Sequence, residues 1–172
     1  MDGAALSIAS IVVAIALLAL AAVLWMRRNG PRATYILPRP EGALCGIVVG
    51  SNSYDCDVVG EAKFQGELES IVGGRSEEGA EYRCNAVLRR EPENPHDPNA
   101  VRVEIDGHCV GYLRRAAAKE FSQEINVLGY QLAVCKAVIV GGWTATKRQE
   151  AGHFGVRLDA DRPFEFDEPP RA

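Results

Sequence analysis

Asn94–Leu113 reads NPHDPNAVRVEIDGHCVGYL, and this stretch decides the fold. It opens inside Glu91–Asn99 (EPENPHDPN), where three prolines sit among Asn, Asp and Glu. Such a segment can be neither helix nor ladder strand, so it is a rigid loop. Alternation then begins: Val101, Val103 and Ile105 face a core while Arg102 and Glu104 face water. Asp106-Gly107 supplies the two positive-φ positions that a type I′ hairpin turn needs. His108–Leu113 is the returning strand.

Outward from this hairpin, Glu81–Arg90 alternates loosely and is placed to pair with Ala100–Ile105. Arg114–Ile125 is Ala-rich, and Ala117, Phe121 and Ile125 form an apolar stripe at helical spacing. Cys56–Phe64 reads as a first strand, Gln65–Val72 as a short helix and Gly73–Gly79 as a loop. Gln131–Val140 is a long strand ending at Gly141-Gly142. Trp143–Gly152 is a polar loop containing Lys147 and Arg148, and His153–Leu158 is a last strand. From Asp159 the chain is acidic and Pro-rich and is expected to fray. Five or six short strands with one or two helices make a mainly β chain that closes as a small barrel.

The loop–strand–turn–strand unit resembles the HIRAN domain. That family has an N-P-x-D-x-N-A-V strand, a G-x-x-V-G-Y-L return and a helix behind. Asn94, Pro95, Asp97, Asn99, Ala100, Val101, Gly107, Val110, Gly111, Tyr112 and Leu113 match it as they stand. The wider resemblance runs from about residue 57 to about residue 159. It implies a modified OB-like barrel and a module that holds the free 3′ end of single-stranded DNA.

Composition limits that implication. The 172 residues carry a formal net charge of −4. Without Met1–Asn29, which holds Asp2, Arg27 and Arg28, 17 basic residues face 22 acidic ones, a net of −5. An acidic domain cannot coat DNA through neutralised phosphates, so a nucleic-acid site must be small and local. Cys45, Cys56, Cys84, Cys109 and Cys135 are odd in number and never spaced C-x-x-C, which argues against a zinc site or a disulfide framework.

Leu6–Met26 is a run of 21 residues without charge, about 31 Å as helix and long enough for a bilayer core. Trp25 stands at the interfacial position, and Arg27, Arg28 and Arg32 follow, which puts the C-terminal domain in the cytoplasm. Ala19-Leu20-Ala21 imitates a signal-peptidase site, but a cleaved signal would carry its basic charge before the apolar run, not after it. The expected organisation is a transmembrane helix at 1–28, a Pro-rich linker at 29–55, the HIRAN-like domain at 56–160 and an acidic tail at 161–172. Within the linker, Leu44–Val49 is apolar enough to add an edge strand.

Asp97 is the first candidate site residue. The resemblance gives it the terminal 3′-hydroxyl, which a carboxylate accepts from while repelling a continuing phosphate. An Asx-turn fixing Pro98-Asn99 explains the same residue, and the two roles are compatible. His96 stands where the family has an aromatic, and an imidazole can stack on a base or touch a phosphate. Tyr112 and Phe64, each at a strand end, and more loosely Phe154, are candidate stacking platforms, with core packing as the other reading. DNA-binding relatives place an arginine and a tyrosine after the V-G of the first strand; here Ala62 and Lys63 stand there. Lys63 replaces a bidentate phosphate clamp with a point charge. Arg114, Arg115, Lys147 and Arg148 are further basic residues available to a backbone.

His96, His108 and His153 show no metal-ligand spacing, and no phosphate loop, nucleophile elbow or dinucleotide loop appears. The sequence therefore reads as a non-enzymatic, cofactor-free module. The expected function is membrane-anchored binding of nucleic acid, single-stranded DNA and its 3′ end. The alternative is a protein-interaction module tethered to the inner membrane face.

Overall fold

The computed structural model describes residues 45–145 and 150–167. In chain order they form β1 (Cys45–Val48), β2 (Cys56–Val59), a single 3-10 turn (Glu61–Lys63), α1 (Gln65–Val72), β3 (Ala80–Arg90) and β4 (Val101–Ile105). There follow β5 (His108–Leu113), α2 (Arg115–Val127), β6 (Leu132–Gly141), β7 (Thr144–Ala145), β8 (Glu150–Ala151), β9 (Phe154–Asp159) and β10 (Phe166–Asp167).

The hairpin forms as its turn residues demand: Asp106 and Gly107 have φ of 50° and 80°. β4 pairs with β3 on one side and β5 on the other, and β5 pairs with β2. β2 pairs with β9, and β9 closes the ring on β6, which runs beside β3 from Ala80↔Gly141 to Arg89↔Leu132. Six strands thus close a barrel in the order β6-β3-β4-β5-β2-β9, the OB-like architecture expected from the sequence. Its interior holds alternate residues of each strand, among them Leu88, Val101, Val103, Ile105, Ile139 and Leu158, all fully buried. α2 lays Ala117, Phe121 and Ile125 on this core, the stripe that its spacing predicts, and Leu68 of α1 is equally buried.

Gly111 shows why the hairpin return carries a glycine. Its φ is +151°, and a Cβ there would meet the side chain of Val58 and, at 2.7 Å, the carbonyl oxygen of Val59. β2 and β5 can approach this closely only without a side chain.

Three boundaries differ from expectation. The domain begins before residue 56, because β1 pairs in parallel with the first residues of β6 (Cys45↔Leu132 to Ile47↔Val134). It also continues past 160: β10 pairs with β1, and Phe164 is buried edge-on against Phe121 with centroids 5.4 Å apart. Two aromatic rings supply burial that an acidic, Pro-rich reading of the tail overlooks. Finally, the first strand stops at Val59, because Gly60 adopts φ 87° and turns the chain into the 3-10 turn. The expected loop Trp143–Gly152 instead pairs Thr144↔Ala151 and Ala145↔Glu150. Lys147 and Arg148 lie outside the described residues.

The Leu6–Met26 segment and the 29–44 part of the linker also lie outside the described residues. Among the described residues, no helix is long and apolar enough to cross a membrane. All five cysteines are thiols, and four of them are buried.

Candidate nucleic-acid interface

The Pro-rich loop is rigid because its own side chains bind its backbone. The Asn99 N–H donates to Asp97 Oδ1 at 2.9 Å, and the Ala100 N–H donates to the Asp97 carbonyl at 2.9 Å. This is the Asx-turn anticipated for Asp97. One step earlier, the His96 N–H donates to Asn94 Oδ1 at 3.0 Å, and Asn94 Nδ2 donates to Glu91 Oε2 at 2.9 Å. Glu91 then closes the loop: its N–H donates to the Ala100 carbonyl at 2.8 Å. Ser122 of α2 donates to the Asn99 carbonyl at 3.3 Å, so loop and helix are tied together.

With Oδ1 committed to the turn, Asp97 Oδ2 faces Arg115, the first residue of α2, whose Nε lies 3.3 Å away. Arg115 is 83% exposed at its side chain and Asp97 21%. An accepting carboxylate oxygen and a solvent-facing guanidinium therefore stand side by side at the loop edge. His96 is exposed next to them.

At the foot of the loop, the outer face of β3, β4 and β5 carries a charge cluster. Arg102 stands between Glu91 (Nη1–Oε1, 3.3 Å) and Glu104 (Nη2–Oε1, 2.7 Å), and Arg89 Nε also reaches Glu104 at 3.3 Å. Two cations against two carboxylates leave this face neutral. Tyr112 lies directly across from Arg102 in the sheet and is half-buried. Burial and then the nearby Glu91 carboxylate raise its phenol pKa above the ordinary value. Tyr112 therefore belongs to the support of the loop, with part of its ring still accessible.

The other candidates lie elsewhere. Lys63 ends the 3-10 turn and is exposed, and Phe64 is the half-buried residue that leads into α1. Neither stands on a barrel strand, because the chain has already turned at Gly60. Phe154 is 2% exposed, so the ring expected to stack on a base is a core residue instead. The Arg75 guanidinium covers it at 4.8 Å from the centroid, and its backbone is clasped by the Gln65 amide (2.8 Å and 2.9 Å). Its position opening β9 makes it point inward with Val156 and Leu158.

Sequence reasoning gave Arg115 no special place among the basic residues. The signal was there: a helix that begins directly after G-Y-L must start beside the loop that precedes the hairpin. Among the described residues, no group of three or more His, Cys, Asp or Glu is placed to hold a metal ion.

Residues 67–144 match the model of the HIRAN domain family. Among solved structures, a protein from Lactobacillus plantarum is similar with a TM-score of 0.35 at 17% identity, over 66% of this chain and 96% of that one. The HIRAN domain of human HLTF is similar with a TM-score of 0.25 at 19% identity, over 46% of this chain and 74% of that one. No curated protein matches.

Proposed function

Because the chain carries a HIRAN domain, we propose that it binds nucleic acid at the Glu91–Asn99 loop, taking single-stranded DNA by its 3′ end. The observation that supports this reading most is the pairing of Asp97 Oδ2 with Arg115 at 3.3 Å. A 3′-terminal nucleotide offers a hydroxyl donor and, one linkage away, a phosphate. Asp97 Oδ2 accepts from the hydroxyl, and the exposed Arg115 guanidinium turns from Asp97 to the phosphate. An internal nucleotide replaces that hydroxyl with a phosphodiester, which the carboxylate repels. His96 contacts the terminal base.

The neutral Arg89–Arg102–Glu91–Glu104 cluster adds no net charge, so few phosphates are neutralised and binding to duplex is weak. We further propose that Leu6–Met26 holds the domain at the cytoplasmic face of a membrane. The same neutrality, with the acidic net charge, favours a protein ligand as the second reading.

The test is a titration of the chain against short labelled single-stranded DNA, duplex DNA and RNA over a range of salt. Single strands are expected to bind best, with a log–log salt slope of about −1 to −2, the value for one or two phosphate contacts. Equal binding of duplex and single strand, or none at low salt, contradicts the reading and leaves the protein ligand.

A further inference from the structure

β3 is paired on both sides over only part of its length. β6 accompanies it from Ala80 to Arg89, but β4 accompanies it only from Val87 to Arg90. The β4–β5 hairpin turns back at Asp106-Gly107, level with Asn85 in the β3–β4 register. Among the described residues, no other strand pairs with the open side from Ala80 to Cys84.

The direction of the backbone groups on this edge follows from one bond. The Glu91 N–H donates to the Ala100 carbonyl at 2.8 Å, continuing the β3–β4 register. Odd-numbered residues of β3 therefore turn their N–H and C=O toward the β4 side. Glu81 and Arg83 thus present four backbone hydrogen-bonding groups to the open edge, where no described strand pairs with them. Their side chains stand on the outer face, 69% and 55% exposed, and join to each other at 3.1 Å. Tyr82 between them is 39% exposed, on the face that holds Cys84, Ala86 and Leu88 further along.

The five open residues are symmetric about Tyr82, with a carboxylate on one side and a guanidinium on the other. If a second copy adds in antiparallel fashion about a two-fold axis at Tyr82, each Glu81 lies opposite the other copy's Arg83. Both pairs are then of the kind that exchanges two backbone hydrogen bonds. Sliding by two residues sets Glu81 against Glu81 or Arg83 against Arg83, so charge selects this register. Charged residues on an edge normally discourage pairing. Here they reject other strands and complement their own. We propose that Ala80–Cys84 is a self-association edge, through which a second copy of this chain adds its β3 to form a two-fold dimer.

The two Glu91–Asn99 loops then point in opposite directions. Each begins nine residues from the axis, about 30 Å along β3, so they stand about 60 Å apart.

The full chain in detergent tests this. Tyr82→Cys places two thiols across the axis at the close antiparallel spacing of about 4.5 Å between Cα atoms, within disulfide range. Oxidation is expected to give a covalent dimer on a non-reducing gel, and adding Arg83→Glu to that variant abolishes it. In sedimentation, Arg83→Glu and Glu81→Arg each weaken self-association by about tenfold or more, and mixing the two proteins restores it, since every cross-strand pair becomes opposite in sign. Circular dichroism of both variants should match the parent. A monomeric parent without cross-link, or single variants that associate as well as the parent, overturns the proposal.

Discussion

Arg115 and Asp97 meet at 3.3 Å between the start of α2 and the Pro-rich loop, and only one of the two Asp97 carboxylate oxygens is engaged there. The other oxygen holds the Asn99 N–H at 2.9 Å. Turn formation and ligand contact can therefore be separated by substitution.

Asp97→Asn keeps an oxygen for the Asx-turn and is expected to change stability by less than about 0.5 kcal/mol, whereas Asp97→Ala costs about 1 kcal/mol. Urea denaturation of the two variants checks this. Equal losses would show that the turn bond contributes nothing of its own.

Arg115→Ala removes an exposed guanidinium whose ion pair contributes little to stability. Oligonucleotide affinity should fall while the urea midpoint stays put, and the salt slope should shrink by about 1. An unchanged slope places the phosphate contact elsewhere.

Phe164→Ala should destabilise the fold by about 3 kcal/mol, because the ring is 4% exposed and packs edge-on against Phe121. A loss under about 1 kcal/mol would mean that the segment after Asp159 is dispensable.

Stability should decline in alkaline solution. Burial, with a smaller contribution from Asp106, pushes the Cys84 thiol from 9.0 up to about 12, and burial raises Cys135 and Cys56 as well. Between these values the unfolded chain releases thiol protons that the folded chain retains. The stabilisation is therefore complete below pH 9 and is lost as pH rises from there toward 12. At pH 10 the loss is about 1.4 kcal/mol for Cys84. Urea midpoints at pH 8 and pH 10 should differ accordingly, and Cys84→Ala should narrow the gap by one thiol's share.

The hairpin and both helices were legible because each rests on a local rule: alternation, a DG turn, an i, i+4 stripe. The Asx-turn at Asp97 was legible for the same reason. What escaped depends on contacts between distant parts of the chain. Phe154 shares the inward parity of Val156 and Leu158, but the Arg75 that covers it and the Gln65 that clasps its backbone come from far along the chain. Phe64 and Lys63 left the expected strand because Gly60, which reads as an ordinary strand glycine, adopts φ 87°. β1 lies within Leu44–Val49, the stretch read as an edge strand, whereas β10 joins it through pairing over more than a hundred residues, which no local pattern encodes.

The most direct test of the account compares two single-stranded DNA oligonucleotides that differ only in a 3′-hydroxyl or a 3′-phosphate, against the parent chain and Asp97→Asn. The parent is expected to prefer the hydroxyl by about tenfold, the worth of one charge-assisted hydrogen bond. Asp97→Asn should lose most of that preference while staying folded. Equal affinity of the parent for both ends, or a preference that survives in Asp97→Asn, would contradict the assignment of Asp97 to the 3′ end.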